Sequence, residues 1–192
     1  ILCFLLSRGC KGFENLVFSD YINSLGAEFN TELLEDGILI SLKSLDEHFE
    51  KLFPLIDLTI NNPLLLEKQF QIVKKTTLFS IKKNKENPFN IAFEKWKKIV
   101  YLKHPYAYNS IGYQEDISKI THKDILLEYE NFKKRNKFLI CNNPNINGKS
   151  FDLLSAKDCK REFNFQIEKS YVGKRFESTY QNSNQMIIMI GN

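Results

Sequence analysis

The chain opens with ILCFLLSRGCKGFENLVFSDYINSLGAEFN, residues 1–30, and the order of elements in this stretch governs what we expect of the fold. From Phe13 onward apolar residues recur at helical spacing, and Gly26 follows where a helix often ends in a left-handed residue. Residues 27–34 then have the composition of a strand. The stretch therefore predicts a helix that ends at Gly26 and leads directly into a β-strand.

A set of spaced residues in this stretch also carries a family resemblance. The matching residues keep their order without a gap: Leu5, Leu6, Arg8, Gly9, Leu25, Gly26, Ala27 and Asn30. They resemble the residues that follow the inverted zinc motif, His-x-x-Glu-His, in the pitrilysin and insulinase family of metallopeptidases, which includes the mitochondrial processing peptidases. The resemblance fixes a register from which the positions of the zinc motif follow.

A second stretch, HPYAYNSIGYQEDISKITHKD at residues 104–124, is similar to another region of the same family. Family members have a loop with His-Pro-Tyr, a glycine, an acidic residue and Ile/Leu-Thr before a helix. The counterparts are His104, Pro105, Tyr106, Gly112, Glu115 and Thr121. Independently of the family, Thr121 and Asp124 have the spacing of a capping box, which predicts a helix start. The resemblance covers residues 1–142 and rests on the joint spacing of the two regions.

The register implies that the zinc motif has lost its chemistry. Counted back from Gly9, Phe4 stands at the second His and Cys3 at the Glu of the motif, while the first His would precede Ile1. The third ligand of the family, a Glu on a later helix, corresponds to Ser80. A catalytic zinc needs three fixed ligands and a carboxylate that accepts a proton from the bound water.

Neither Phe nor Ser meets that need, and a cysteine where the base should be does not complete a site. The resemblance therefore implies that Cys3, Phe4 and Ser80 are vestigial zinc-motif positions. No catalytic residue, metal ligand or cofactor is expected in this fragment, although active family members bind zinc. We expect Cys3 and Phe4 to be apolar side chains at a buried helix end.

The remaining histidine and cysteine candidates are interpreted as structural. His104 precedes a proline in a loop and His122 lies in the first turn of a helix, and nothing acidic or thiol is spaced in the sequence to join them. The four cysteines show no Cys-x-x-Cys spacing, which argues against a zinc ribbon or a disulfide scaffold. A reducing compartment is the default for such a chain, so we expect a cytoplasmic protein.

Composition limits the classes of partner. With 43% hydrophobic and 26% charged residues among 192, the chain has an ordinary globular composition. Lysines cluster between Lys68 and Lys103, but they alternate with the apolar positions of two amphipathic helices and no nucleic-acid motif accompanies them. The apolar start ILCFLL is too short to cross a bilayer. We expect neither nucleic acid nor a membrane as partner.

Further signals predict the rest of the fold. A hairpin is expected from residues 27–34 and 37–42. Helices are expected from Ser44, which has the spacing of a capping box with Glu47, from Asn62-Pro63 and from Asn87-Pro88. The last of these helices has a predicted inner face of Phe89, Ala92, Phe93, Trp96, Ile99 and Val100. KFLIC at residues 137–141 reads as a further strand. The pattern predicts an α+β fold, an antiparallel sheet with helices packed on one face, which agrees with the processing-peptidase-like metallohydrolase fold that the resemblance implies.

The sequence also suggests a division of the chain. Residues 1–142 are expected to form a first peptidase-like domain with a truncated N-terminus. Residues 143–184 are rich in Asn, Gly, Ser and charge, which is typical of a connector. Residues 185–192 match the opening strand of a second homologous domain. We therefore interpret the chain as a fragment of a longer protein.

The leading functional hypothesis follows from the lost zinc motif. The chain is expected to be a peptidase-like subunit that supports peptide binding or assembly with an active, zinc-bearing partner. Two alternatives stay open: a purely structural scaffold relative, or part of an active zinc metalloendopeptidase whose zinc site lies outside these residues. The expected partners are a homologous peptidase subunit or second domain, and a peptide or unfolded polypeptide that binds through backbone edges of a strand.

Overall fold

Helices and short antiparallel sheets alternate in this protein, whose computed structural model describes residues 1–102, 104–142, 178 and 186–190. The described elements are α1 (Leu2–Leu6), β1 (Gly9–Cys10), β2 (Phe13–Glu14), α2 (Asn15–Ser24), β3 (Glu28–Leu33), β4 (Ile38–Lys43), α3 (Asp46–Asn61), α4 (Glu67–Asn84), α5 (Pro88–Tyr101), a 3-10 turn (Pro105–Ala107), α6 (Gln114–Lys119) and α7 (His122–Lys133). β1 pairs with β2 and β3 with β4, both antiparallel. The predicted α+β class is confirmed.

The chain divides into two compact units. The first contains Ile1–Val73 and the described residues from Ile120 to Asn142. The second contains Lys74–Lys119, Ser178 and residues 186–190. The division falls within α4, so the first turns of this helix belong to the first unit.

The predicted hairpin is present in the first unit. Thr31 lies opposite Ile40 in the β3–β4 ladder, and burial alternates along both strands. Because successive side chains of a strand point to opposite faces, one face carries the half-buried residues and the other faces solvent. The partly buried positions are Phe29, Thr31 and Leu33 on β3, and Ile38, Ile40 and Leu42 on β4.

Two clusters of buried side chains stabilise this unit. The α1–α7 cluster consists of Leu2, Leu5, Leu6, Leu65, Phe70, Val73, Ile125 and Tyr129. The α2–α3 cluster consists of Cys10, Phe18, Ile22, Ala27, Leu52 and Leu55. Full burial of a leucine or phenylalanine side chain contributes about 1.5–3 kcal/mol, so these clusters dominate the stability of the unit.

The end of α2 agrees with the sequence. The helix ends at Ser24, and Gly26 has a φ of 61°, in the left-handed region that closes helices. β3 begins two residues later, as predicted.

The prediction that α4 begins at Asn62-Pro63 was wrong. The helix begins at Glu67. The Lys11 N–H donates to the Asn62 carbonyl at 2.8 Å, and the Leu64 N–H donates to the Gly9 carbonyl at 3.1 Å. Since these backbone groups are engaged with the β1 hairpin, the segment is extended and the helix starts later.

Two other local predictions were wrong. Ser44 was expected to cap α3, but Leu45 is the N-cap residue and no side chain caps the helix. Residues 137–141 were expected to form a strand, but they have no regular structure. Phe138 and Ile140 are 90% and 96% exposed, so among the described residues no neighbouring strand covers this segment.

In the second unit, α5 forms as predicted but presents a different face. The Asn87 side chain accepts a hydrogen bond from the Phe89 N–H at 2.9 Å, which confirms the predicted N-cap. Phe89 is nevertheless 54% exposed, and Phe93 and Val100 are exposed as well. Lys97 is buried instead, with its Nζ donating to the Tyr108 carbonyl at 3.2 Å. Half of the predicted inner face is therefore exposed, while Ala92, Trp96 and Ile99 are half-buried.

The predicted connector, residues 143–184, lies outside the described residues except for Ser178. Within the predicted opening strand of a second domain, residues 186–190 are described, and they contain no strand. The division into a first domain, a connector and a second domain stays a prediction.

Candidate functional site at the vestigial zinc motif

Helix α1 holds two of the three residues that the resemblance assigns to the zinc motif. Its apolar residues Leu5 and Leu6 are fully buried and anchor the helix in the α1–α7 cluster. Cys3 and Phe4 are neighbours on this helix, Cys3 buried and Phe4 half-buried. The packing of Leu5 and Leu6 thus fixes where the two motif positions lie.

Cys3 is held as a neutral thiol. Its side chain is 3% exposed and is hydrogen-bonded to the Thr31 side chain on β3. Burial raises the pKa of the Cys3 thiol above its ordinary value, and the hydrogen bond from Thr31 offsets only part of this effect. Because the thiolate is the form that binds metal and attacks electrophiles, Cys3 is suited to neither task.

Phe4 serves as a packing residue. Its ring packs against the α1–α7 cluster, and the Ser7 hydroxyl donates to the Phe4 carbonyl at 3.1 Å, closing the end of the helix. A phenyl ring has no donor atom for a metal. Phe4, which the resemblance assigns to a zinc ligand, therefore contributes apolar contact.

Ser80 lies near the C-terminal end of α4, in the second unit. It is partly buried, between the exposed Phe79 and the buried Ile81. Its hydroxyl is neutral and is a poor ligand for a divalent cation compared with the carboxylate of an active family member.

The residues at these positions do not fit a catalytic zinc. A phenylalanine, a neutral buried thiol and a serine cannot provide three ligands and a general base. Within residues 1–102, 104–142, 178 and 186–190, no group of three or more His, Cys, Asp and Glu side chains is placed to hold a metal ion. The donor chemistry of this part of the chain gives no metal site.

His104 has a structural contact in its own loop. Its Nδ1 accepts a hydrogen bond from the Tyr106 N–H at 3.2 Å, which caps the 3-10 turn. The ring also lies against Tyr106, with centroids 4.6 Å apart. Both contacts are typical of a residue that shapes a turn.

His122 has an acidic neighbour that was not predicted from the sequence. Its Nδ1 lies 2.8 Å from a carboxylate oxygen of Glu67, and its Nε2 lies 2.6 Å from the Leu65 carbonyl oxygen. Glu67 is in a different helix, so spacing within the second family stretch could not reveal it. The expectation that nothing acidic joins His122 was wrong.

The β3–β4 hairpin is the element to which an extended peptide could add. Among the residues that the structure describes, neither strand pairs with a third strand. Backbone N–H and C=O groups at a strand edge can bind a peptide without any particular side chain. In the same part of the chain, no helix is both long and apolar enough to cross a bilayer.

Known structures share this architecture. The chain is similar to the inactive domain of peptidase M16 from Pseudomonas fluorescens, with a TM-score of 0.62 and 25% identity, over 69% of this chain and 32% of that one. It is also similar to a protease from Helicobacter pylori, with a TM-score of 0.60 and 20% identity, over 67% and 31% of the two chains. The chain thus spans about a third of the length of each. No protein-family profile and no curated protein matches it.

Proposed function

We propose that this chain is a non-catalytic peptidase-like subunit of the insulinase family, because its fold is similar to that of an inactive domain of peptidase M16. In this role it supports peptide binding or assembly with a homologous partner, or a second domain, that carries an intact zinc motif. We also propose that this chain supplies no catalytic group and holds no cofactor.

The observation that carries the proposal is the state of Cys3 and Phe4. Where an active relative needs a carboxylate and an imidazole, this chain has a thiol buried against Thr31 and a ring packed in a core cluster. These side chains contribute to stability and leave the hydrolytic chemistry to another chain or domain. A peptide would bind along a strand edge of the β3–β4 hairpin, by backbone hydrogen bonds.

The cysteine residues suit a reducing compartment. Cys3, Cys10 and Cys141 carry no disulfide among the described residues. Such thiols persist where glutathione and thioredoxin keep them reduced, so we place the protein in the cytoplasm. The expected partners include no nucleic acid and no membrane.

The test is hydrolysis of an unstructured fluorogenic peptide by the full-length protein. It is assayed alone and mixed with a homologue that has an intact His-x-x-Glu-His, each with and without a zinc chelator. Activity that appears in the mixture, exceeds that of the homologue alone and is lost with chelator supports a partner subunit. Silence of this chain in every combination would favour the scaffold alternative instead.

A matched control assigns the chemistry to one chain. The homologue is changed from Glu to Gln in its motif, and the mixture is assayed again. We expect all activity to disappear, because the general base is then missing from the mixture. Residual chelator-sensitive activity, or stoichiometric zinc with hydrolysis in the full-length protein alone, would contradict a separate zinc-bearing partner and would instead indicate a zinc site in a second domain of the same polypeptide.

A further inference from the structure

The loop of the β3–β4 hairpin contains an aspartate that is followed directly by a glycine. Leu33 lies opposite Ile38 at the end of the ladder, so residues 34–37 form the loop. The Leu34 N–H donates to the Gly37 carbonyl at 2.8 Å, which closes the loop. Asp36 and Gly37 are both exposed at its tip. We call these two residues the Asp36–Gly37 step.

The backbone nitrogen of Gly37 is accessible within this loop. Among the residues that the structure describes, no group accepts a hydrogen bond from the Gly37 N–H. A Cβ atom added to Gly37 would meet nothing within 4 Å, so the space around the residue is open. Since glycine has no side chain of its own, the adjacent Asp36 carboxyl group can approach this nitrogen without a steric barrier.

We propose that the Asp36–Gly37 step is a modification site, at which aspartate converts spontaneously to isoaspartate through a cyclic imide. The Gly37 nitrogen attacks Cγ of Asp36, and an N–Cγ bond forms while a Cγ–O bond breaks. The oxygen leaves as water with the amide proton and the carboxyl proton. Water then adds to either imide carbonyl: cleavage of N–Cγ restores aspartate, and cleavage of the original peptide C–N bond gives isoaspartate. No oxidant or reductant takes part.

The other aspartates in the described part of the chain are less suited to this ring closure. Each is followed by a residue with a large side chain, namely Tyr21, Glu47, Leu58, Ile117 or Ile125. Asp20 and Asp57 also lie well inside α2 and α3, where the next backbone N–H is donated to a carbonyl one turn earlier. Local structure therefore favours the reaction at Asp36.

The fold itself does not require a glycine at position 37. The φ of Gly37 lies outside the left-handed region, unlike that of Gly9, Gly12, Gly26 and Gly112. An alanine at position 37 is therefore free of backbone strain and of steric overlap. Gly37→Ala is thus expected to fold normally while its methyl group hinders attack by the backbone nitrogen.

Isomerisation keeps the negative charge of Asp36 but changes the path of the backbone. In isoaspartate the main chain passes through Cβ and Cγ, which lengthens it by a methylene group. The hydrogen bond between Leu34 and Gly37 spans the lengthened loop, so we expect it to weaken. Because loop length sets the register of a hairpin, pairing should loosen from the tip of β3 and β4. This reaction does not depend on the proposed partner role.

The test is prolonged incubation of the folded full chain at neutral pH, followed by peptide mapping with electron-transfer fragmentation, which distinguishes isoaspartate from aspartate. An Asn147→Gln background removes the Asn147-Gly148 sequence, which can form the same imide. We expect isoaspartate to accumulate at position 36, with a water-loss intermediate on the same peptide. In the isolated isoaspartate form, hydrogen-exchange protection of the Leu34 amide should fall, while that of the Phe70 amide, in α4, should not change.

Three variants serve as matched controls. Asp36→Glu keeps the charge and Gly37, but its longer side chain closes the ring poorly, so isoaspartate should be lost from this loop. Gly37→Ala should reduce its formation several-fold, and Asp20→Glu, an exposed site on α2, should leave it unchanged. A free peptide of residues 33–39 gives the rate without the fold. Isomerisation of this peptide with none in the folded chain, equal rates in wild type and Gly37→Ala, or unchanged protection of Leu34 would overturn the inference.

Discussion

The Tyr129 hydroxyl donates a hydrogen bond to the backbone carbonyl oxygen of Ile60, across 3.1 Å and 69 residues of sequence. Ile60 lies in the last turn of α3, where carbonyl groups have no partner within the helix. The bond is buried and joins α3 to α7. The Tyr129 hydroxyl thus provides a partner for a carbonyl group at the end of α3 and links two parts of the first unit that are distant in sequence.

Tyr129→Phe removes this bond while keeping the ring. We expect the free energy of unfolding to fall by about 1–2 kcal/mol, since the Ile60 carbonyl stays buried without its partner. Equilibrium unfolding in urea measures the change. Tyr108→Phe is the control, because Tyr108 is 60% exposed and its substitution should cost less than about 0.5 kcal/mol. Equal losses in the two variants would contradict the assignment.

Ionisation of the Tyr129 hydroxyl should destabilise the folded chain at high pH. Burial, and secondarily the charge of Glu130, raises the pKa of Tyr129 to about 12 from its ordinary value of 10.0. The unfolded chain therefore releases this proton at lower pH than the folded chain. The contribution of the protonated Tyr129 hydroxyl to the free energy of unfolding is fully present below about pH 10. It is lost as the pH rises towards 12. Stability should fall more steeply with pH in wild type than in Tyr129→Phe; parallel profiles would refute this.

Two glycines of the β1–β2 hairpin offer a matched pair. Gly9 and Gly12 both have positive φ, 114° and 87°, so alanine is strained at either position. A Cβ on Gly9 would lie 2.7 Å from the Phe13 carbonyl oxygen, whereas a Cβ on Gly12 meets nothing within 4 Å. We expect Gly12→Ala to cost about 1 kcal/mol and Gly9→Ala at least about 2 kcal/mol more, measured by thermal unfolding. Similar costs would show that the hairpin relaxes around the added methyl group.

The two helix starts that carry a capping sequence should respond differently to substitution. In α7 the Thr121 side chain accepts from the Asp124 N–H at 3.3 Å, and the Asp124 carboxylate accepts from the Thr121 N–H at 2.8 Å. Thr121→Ala should therefore cost about 1 kcal/mol. Ser44→Ala should cost less than about 0.5 kcal/mol, since Ser44 does not cap α3. Thermal unfolding compares the two, and a larger loss in Ser44→Ala would contradict the structure.

The helix starts predicted at Thr121 and at Asn62-Pro63 show what the sequence could and could not predict. A capping box depends on four consecutive residues, and at Thr121 both of its hydrogen bonds are formed, so the local rule holds. At Asn62-Pro63 the local signal for a helix was outweighed by backbone pairing with Gly9 and Lys11, about fifty residues away. Such long-range pairing leaves no mark in the local sequence.

The same distinction applies to faces and to the candidate site. The hairpin of β3 and β4 was predicted correctly, because the two paired strands are neighbours in the sequence. The apolar residues of α5 were predicted to be buried, but whether a helix face is buried depends on which elements pack against it. Phe89, on this face, is exposed. At the site, the register placed Cys3 and Phe4 on α1, whereas the contact between His122 and Glu67 required the fold.

The last prediction concerns the reactivity of Cys3, and it distinguishes a buried packing residue from a reactive thiol. Burial raises the pKa of Cys3 and of Cys10, while Cys141 is exposed. In a Cys159→Ser background at pH 7.5, a disulfide reagent should modify the exposed Cys141 first and Cys3 more slowly, because burial keeps the reagent away from Cys3 and disfavours its thiolate. Peptide mass mapping over time measures both rates. Rapid modification of Cys3, or its protection by added zinc, would mean that this position keeps the chemistry of a ligand, and the non-catalytic interpretation of α1 would fail.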